Sequence, residues 1–451
     1  MDYLQSTLQR LATFLDRPLF PWKRLIASFS LGQYLLNSYL SYRQYQVLKR
    51  TTVPTSLRAE IDQKTYDKSQ AYGRAKAQFG FVSGLFSQTL DLAALYFNVY
   101  PKLWAITGNW LASYAPARFS GEITHSLVFV FTYSLAQSII GLPFSYYHHF
   151  VLEEKFGFNK QTLKIWIADF FKGQALGLAL GAPIGSAFLA IIKKTGKNFF
   201  FYLWAFALVM QAALITLYPI LIVPIFNKLT PLPAGSLKNA VEALADKLKF
   251  PLTELQVIDG SKRSAHSNAY FTGLPWKKKI VLFDTLIEKS EEQEVVAVLA
   301  HELGHWKMGH TTKQLVIAQA HLFFLFALFS AFVENKSLYA DFGFVTERPI
   351  IIGFMLFSEV LSPTESVIGL LMNVLSRKFE FEAGKSSSYS LSMGEYMESR
   401  ANIDLHEQML LALVLDTQRS SQHRLSSFKY RISARWMLTG CTRRTTIRIP
   451  F

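Results

Sequence analysis

The chain has 451 residues, half of them hydrophobic and 15% aromatic, with a positive mean hydropathy; it is long enough for several domains and too apolar for an ordinary soluble enzyme. Its formal net charge of +15 is not the footprint of a nucleic-acid binder: Thr417 to Phe451 carries eight Lys/Arg and no Asp/Glu, so 8 of the 15 excess charges sit in the last 35 residues. A single cysteine, Cys441, excludes an internal disulfide and a cysteine-built zinc site.

Met1 to Arg24 lacks the charged, apolar, then small-residue order of a cleavable signal, so the first span is expected to serve as its own insertion signal. About 20 helical residues cross about 30 Å of hydrocarbon, which makes charge-free windows the spanning signal. Ile26 to Tyr42 is the first such window. Arg50 to Lys76 reads as a polar linker, and Phe79 to Leu111 as one long span broken at Pro101. Ile123 to Leu152, Gly173 to Ile192 and Asn198 to Asn227 are spans three to five, none of them containing Asp, Glu, Lys or Arg.

After Pro224 and Pro231 the composition changes to that of a soluble insert. A helix is predicted near Leu237 to Leu248, a strand at Leu255 to Ile258, a loop, and a second strand at Lys279 to Phe283. An exposed sheet edge can receive a peptide in extended form through backbone hydrogen bonds. Ile280, Val281 and Leu282, in the second strand, are the candidates for that role; a plain core strand has the same periodicity. Leu315 to Val333 is a sixth span, and Pro349 to Leu375 a seventh that contains Glu359 and Glu365, which points to an enclosed polar interior.

Between the insert and the sixth span lies His301-Glu302-Leu303-Gly304-His305, an HExxH, in a helix predicted over Glu294 to His310. Histidines four apart differ by about 40° around a helix and can reach one Zn²⁺. The intervening Glu302 can take a proton from the attacking water and pass it to a leaving amine. Val295, Val296, Val298 and Leu299 make the preceding turns apolar, so the pair belongs to a buried segment. His310 lies nine residues from His301, on the opposite side of a continuous helix, and is not expected to ligate. A carboxylate from the helix after the last span completes a two-His, one-Glu site; Glu380 and Glu382 are two apart, so only one can ligate.

Those residues, together with Glu154-Lys155-Phe156-Gly157-Phe158-Asn159, Pro224-Ile225-Phe226-Asn227-Lys228, Ser261 to Phe271 and Ile280 to Thr285, give the chain its resemblance to the type I CAAX prenyl proteases, integral-membrane zinc metalloproteases. The resemblance runs from about Phe20 to Ala383. It implies one Zn²⁺ held by His301, His305 and Glu380, with Asn268 and Ala269 beside the scissile peptide and His266 of the same motif among the substrate-binding residues. It implies an all-α polytopic membrane protein with seven transmembrane helices around a chamber and a small α+β soluble insert. The expected reaction removes the last three residues of prenylated CAAX-box proteins at the endoplasmic reticulum membrane and the contiguous nuclear envelope. Substrate and lipid bilayer are the expected partners, without nucleic acid. The rival readings are a membrane quality-control metalloprotease with no prenyl preference and a non-catalytic membrane scaffold; an intact Glu302 speaks against the scaffold, which needs no base.

The expected organisation is a membrane domain over 1–225, the insert with its zinc helix over 226–312, two spans and the third-ligand helix over 313–383, and a tail over 384–451. The family carries Asp where this chain has Gly384, a carboxylate that can orient a metal-bound imidazole. Gly384-Lys385-Ser386 can be encoded with GGTAAGT, a splice donor that follows a base shared by Gly and Asp codons. Ser433 to Pro450 can be re-read in a shifted frame as a His-x-x-His-Pro segment of the family kind. The tail is therefore expected to derive from a retained intron and a frameshift, against the alternative of a lineage-specific basic tail.

Overall fold

A computed structural model describes residues 2–55, 58, 62–274 and 276–391. The described N-terminal part is built from helices: α1 (Asp2–Leu15), α2 (Trp22–Val47), α3 (Gln63–Tyr96), α4 (Val99–Tyr114), α5 (Glu122–Tyr147), α6 (Leu163–Thr195), α7 (Phe199–Leu217) and α8 (Val223–Phe226). The insert follows as β1 (Leu229–Pro231), α9 (Ser236–Leu248), β2 (Leu252–Ile258), β3 (Ala269–Leu274), β4 (Lys277–Phe283) and α10 (Asp284–Lys289). The chain then continues as α11 (Glu292–Lys307), α12 (His310–Phe332), α13 (Lys336–Asp341) and α14 (Ile350–Leu391).

Among the described residues four helical stretches are long and apolar enough to cross a bilayer: Glu122–Glu153, Leu163–Phe226, His310–Phe332 and Ile350–Ser386. They contain five of the seven expected windows, since Leu163–Phe226 takes in two. The other two windows are helical but more polar, and their boundaries differ from expectation. The stretch read as a linker is helical from Gln63 onward. The window from Phe79 to Leu111 is two helices, parted at Asn98, which is left-handed at φ 54°. Pro101 does not break a helix; it sits in the first turn of α4, where its missing N–H removes no helical bond.

The insert carries a four-stranded sheet in the order β1-β2-β4-β3. Strand β4 runs parallel to β2, with Leu255 opposite Ile280, and antiparallel to β3, with Ala269 opposite Leu282. The expected loop between the strands thus contains β3. This corrects the reading of Ile280, Val281 and Leu282 as the substrate-receiving edge: both edges of β4 are already paired, and all three residues are at most 1% exposed. The sheet's outer strands are β1 and β3, and the one beside β4 is β3.

The family motifs outside the zinc helix tie this insert to the membrane helices. Arg263 donates from Nε and Nη2 to the Asp169 carboxylate at 2.7 and 2.9 Å, a two-pronged bond to α6. Asn159 pairs with Ser264 in an isolated bridge. Asp259 accepts from the Asn227 side chain and the Lys228 backbone at 3.1 and 2.8 Å. In the insert, Val295, Leu299 and Leu303 of α11 recur at helical spacing and are buried with Val241, Leu244 and Ile280. Helix α14 continues through Gly384 to Leu391, and the expected frameshifted tail beyond that lies outside the described residues.

Candidate metal centre

Helix α11 starts with the Glu294 carboxylate accepting from the Glu291 backbone N–H at 3.0 Å, and with Glu292 and Glu294 in its first turn, where the dipole favours acids. One face is committed to the insert core, so His301 and His305 project together from another. Opposite them runs α14. The two helices approach so closely that a Cβ on Gly304 would lie 2.9 Å from the Ala383 carbonyl oxygen. A side chain at 304 would wedge them apart; glycine lets Glu380 reach the histidines.

The structure brings together His301, His305 and Glu380, the one group of three or more His, Cys, Asp or Glu among the described residues that could hold a metal. His301 Nε2 lies 3.1 Å from Glu380 Oε2 and 3.2 Å from His305 Nε2, and His305 Nε2 lies 3.6 Å from Glu380 Oε2. A tetrahedral metal with bonds of about 2.0–2.2 Å requires ligand atoms about 3.3–3.6 Å apart. The sides of 3.1, 3.2 and 3.6 Å come within about 0.2 Å of that range, and two nitrogens and one carboxylate oxygen are borderline and hard donors suited to zinc. The residues present therefore fit a zinc ion with one position left open. The His301 and Glu380 side chains are 18% and 30% exposed and that of His305 only 10%, so access comes from the side of the first two. Glu302, between the histidines, is 5% exposed.

The predicted helix ends sooner than expected. It stops at Lys307, Gly309 takes φ +67°, and His310 opens α12. Because the helix is broken, His310 does not point to the far side; its Nδ1 is 3.0 Å from Nδ1 of His305, and its Nε2 is 2.9 Å from Glu382 Oε2. His310 and Glu382 are thus neighbours of the centre that the continuous-helix reading missed. The signal was a glycine after Lys307-Met308, the common stop of a helix.

The remaining site candidates separate. The Asn268 carbonyl accepts from Phe283 N–H at 3.0 Å, and its side-chain oxygen accepts from Ala269 N–H at 2.9 Å. Since Asn268 and Phe283 form a bonded pair, antiparallel alternation turns the N–H and C=O of Ala269 and Phe271 outward, toward the open edge of β3. His266 makes its contacts elsewhere: its Nε2 is 3.3 Å from Glu153 Oε2, and its ring stacks on Phe158 at 4.5 Å. Tyr72 of α3 donates to the same Glu153 at 2.6 Å. His266 therefore joins the insert to α3 and to the helical segment that follows α5.

Sequence comparison places two profiles on the chain. Residues 44–228 match one described as CAAX prenyl protease N-terminal, five membrane helices, and residues 231–432 match peptidase family M48. CAAX prenyl protease 1 of Saccharomyces cerevisiae is 43% identical, over 92% of this chain and 94% of its own length. The Homo sapiens CAAX prenyl protease 1 homolog is 41% identical, over 79% and 83%. A crystal structure of S. mikatae Ste24p superposes with a TM-score of 0.79 at 41% identity, covering 94% of this chain and 100% of the other.

Proposed function

Because the chain belongs to the CAAX prenyl protease 1 family of M48 peptidases, we propose that it is a zinc-dependent membrane endopeptidase that removes the last three residues of prenylated CAAX-box proteins. The observation that carries this reading is the triangle of His301, His305 and Glu380, close to the size a tetrahedral zinc needs, with the buried Glu302 between the histidines. Zinc, when bound, supplies a Lewis acid that lowers the pKa of water and polarises a carbonyl.

The other tasks fall to the protein. Glu302 accepts the proton of the attacking water and returns it to the departing amine, so that free hydroxide need not attack and the amine need not leave as an amide anion. The peptide lies extended along the outer edge of β3, bonded to the backbone of Ala269 and Phe271, with Asn268 at the start of the strand. The membrane helices give the prenyl chain an apolar surface. The endoplasmic reticulum is the proposed membrane; co-fractionation of the tagged chain with markers of another organelle would overturn that location.

The test of the activity is purified protein with a farnesylated CAAX peptide and its unprenylated twin, parent against Glu302→Ala. Release of the tripeptide from the farnesylated peptide alone, lost in the variant, is the expected result. Equal cleavage of both peptides would overturn the substrate class, and cleavage unaffected by Glu302→Ala would overturn the catalytic assignment.

A further inference from the structure

We propose that His310 and Glu382 are positioning residues that fix the tautomer and orientation of His305 from the side away from the metal. The inference rests on the reading that His301, His305 and Glu380 hold zinc, and goes beyond it by naming what holds one of the ligands.

The argument begins with proton counting. His305 presents Nε2 to His301 and Glu380, at 3.2 and 3.6 Å, so Nε2 must carry a lone pair to ligate. The proton of a neutral His305 then sits on Nδ1. That atom is 3.0 Å from Nδ1 of His310, which must accept and so carries a lone pair of its own. The proton of His310 is thereby placed on Nε2, which donates to Glu382 Oε2 at 2.9 Å. An ionised carboxylate only accepts, so the chain has one consistent polarity from Glu382 back to His305. A metal-ligating imidazole whose second nitrogen donates to a fixed acceptor is held in ring angle and tautomer and is a better donor to the metal.

His310 is also built to stand still. It is 2% exposed, and its ring stacks on Phe379 at 4.1 Å and 12°. Phe379, Glu380 and Glu382 lie within one turn of α14, so one turn delivers a metal ligand, the ring that pins His310 and the acceptor that orients it. Gly309, at φ +67°, makes the bend that returns His310 to His305. At Gly384, where a carboxylate could otherwise take up such a role, there is no side chain, and a Cβ there would meet nothing within 4 Å.

The experiment measures zinc affinity of the full chain in detergent by competition with a fluorescent chelator. His310→Leu is expected to lower the affinity about 10- to 100-fold. His310→Asn, whose side-chain oxygen can replace Nδ1 as acceptor, should bind within about threefold of the parent, a small part of the loss seen when such a partner is removed. Glu382→Ala should weaken binding, and adding it to His310→Leu should bring no further loss, because the two act in series. Parental affinity in His310→Leu, equal damage in His310→Asn, or additive losses would each overturn the proposal. If His310→Leu does not fold, Glu382→Ala decides alone, since its side chain is 28% exposed and its removal opens no core. His301→Ala separates the two readings: zinc retained there sinks the centre itself, whereas zinc lost there but kept in His310→Leu sinks only the relay.

Discussion

The proposed function gives the charges of Glu302 and Glu380 different tasks, and the difference can be measured. Glu302 is one residue past His301 and outside the triangle of candidate ligands, so proton exchange is the role proposed for its carboxylate; Glu380 Oε2 is a corner of the triangle. Glu302→Gln should therefore keep zinc at parental stoichiometry and lower kcat about 10²- to 10⁴-fold. Glu380→Gln should lose zinc first and activity as a consequence. Metal content after dialysis, read beside peptide cleavage, checks both, and zinc loss in Glu302→Gln would refute the division of labour. At this scale the sequence was informative where the chemistry is local. His301, Glu302 and His305 share one helix, and their spacing alone states the geometry. Glu380 lies 79 positions from His301, and no local periodicity chooses between it and Glu382. The choice follows from the face of α14 that meets α11 at Gly304.

Elements were less legible, for reasons that lie in the backbone. The periodicity of Lys279 to Phe283 correctly marks a strand, but a strand's position in a sheet depends on partners elsewhere in the chain. Strand β3, written as a loop, lies between the two strands in sequence and takes the outer place beside β4. The consequence is testable. Phe271 has its N–H turned outward, so Phe271→Pro removes a donor that the proposed mode gives to the peptide, without cutting a bond to β4, as an edge position allows. Phe271→Ala is the control, because both variants lose the ring that packs on Phe250. Against that control, the proline variant should lose about 2- to 10-fold in kcat/KM, the worth of one net hydrogen bond. A proline variant matching the alanine variant would show that the peptide binds elsewhere. The helix that was read through to His310 failed for a related reason. Apolar and polar residues continue in phase past Lys307, and only the left-handed Gly309 resets the axis.

At the scale of the whole molecule, charge-free windows identified the most apolar helices, and several helices of the bundle also pair through polar side chains. In α2 and α3, Gln88 donates to Ser30 at 3.0 Å, and in α2 and α14, Ser362 donates to Gln33 at 2.7 Å. Such groups lower the hydropathy of a helix while making it adhere to its neighbour. Glu365 belongs to the same class. Expected as a sign of a polar interior, it lies 2.9 Å from His321 Nε2, a link between α14 and α12 with both side chains about one-fifth exposed. These are the two helices that flank the metal centre, one opening with His310 and the other carrying Glu380. Removing one member takes from the other the partner that offsets its desolvation, whereas removing both also removes the need. Glu365→Leu should therefore lower thermal stability by an amount on the order of 1–3 kcal/mol, and the double variant His321→Leu/Glu365→Leu should recover most of it. Melting of the purified chain in detergent, with zinc content read in parallel, checks this. If the pair sets the spacing of α12 and α14, zinc affinity will fall and recover together with stability; a double variant as unstable as Glu365→Leu alone would show that the polar link is not what holds these helices.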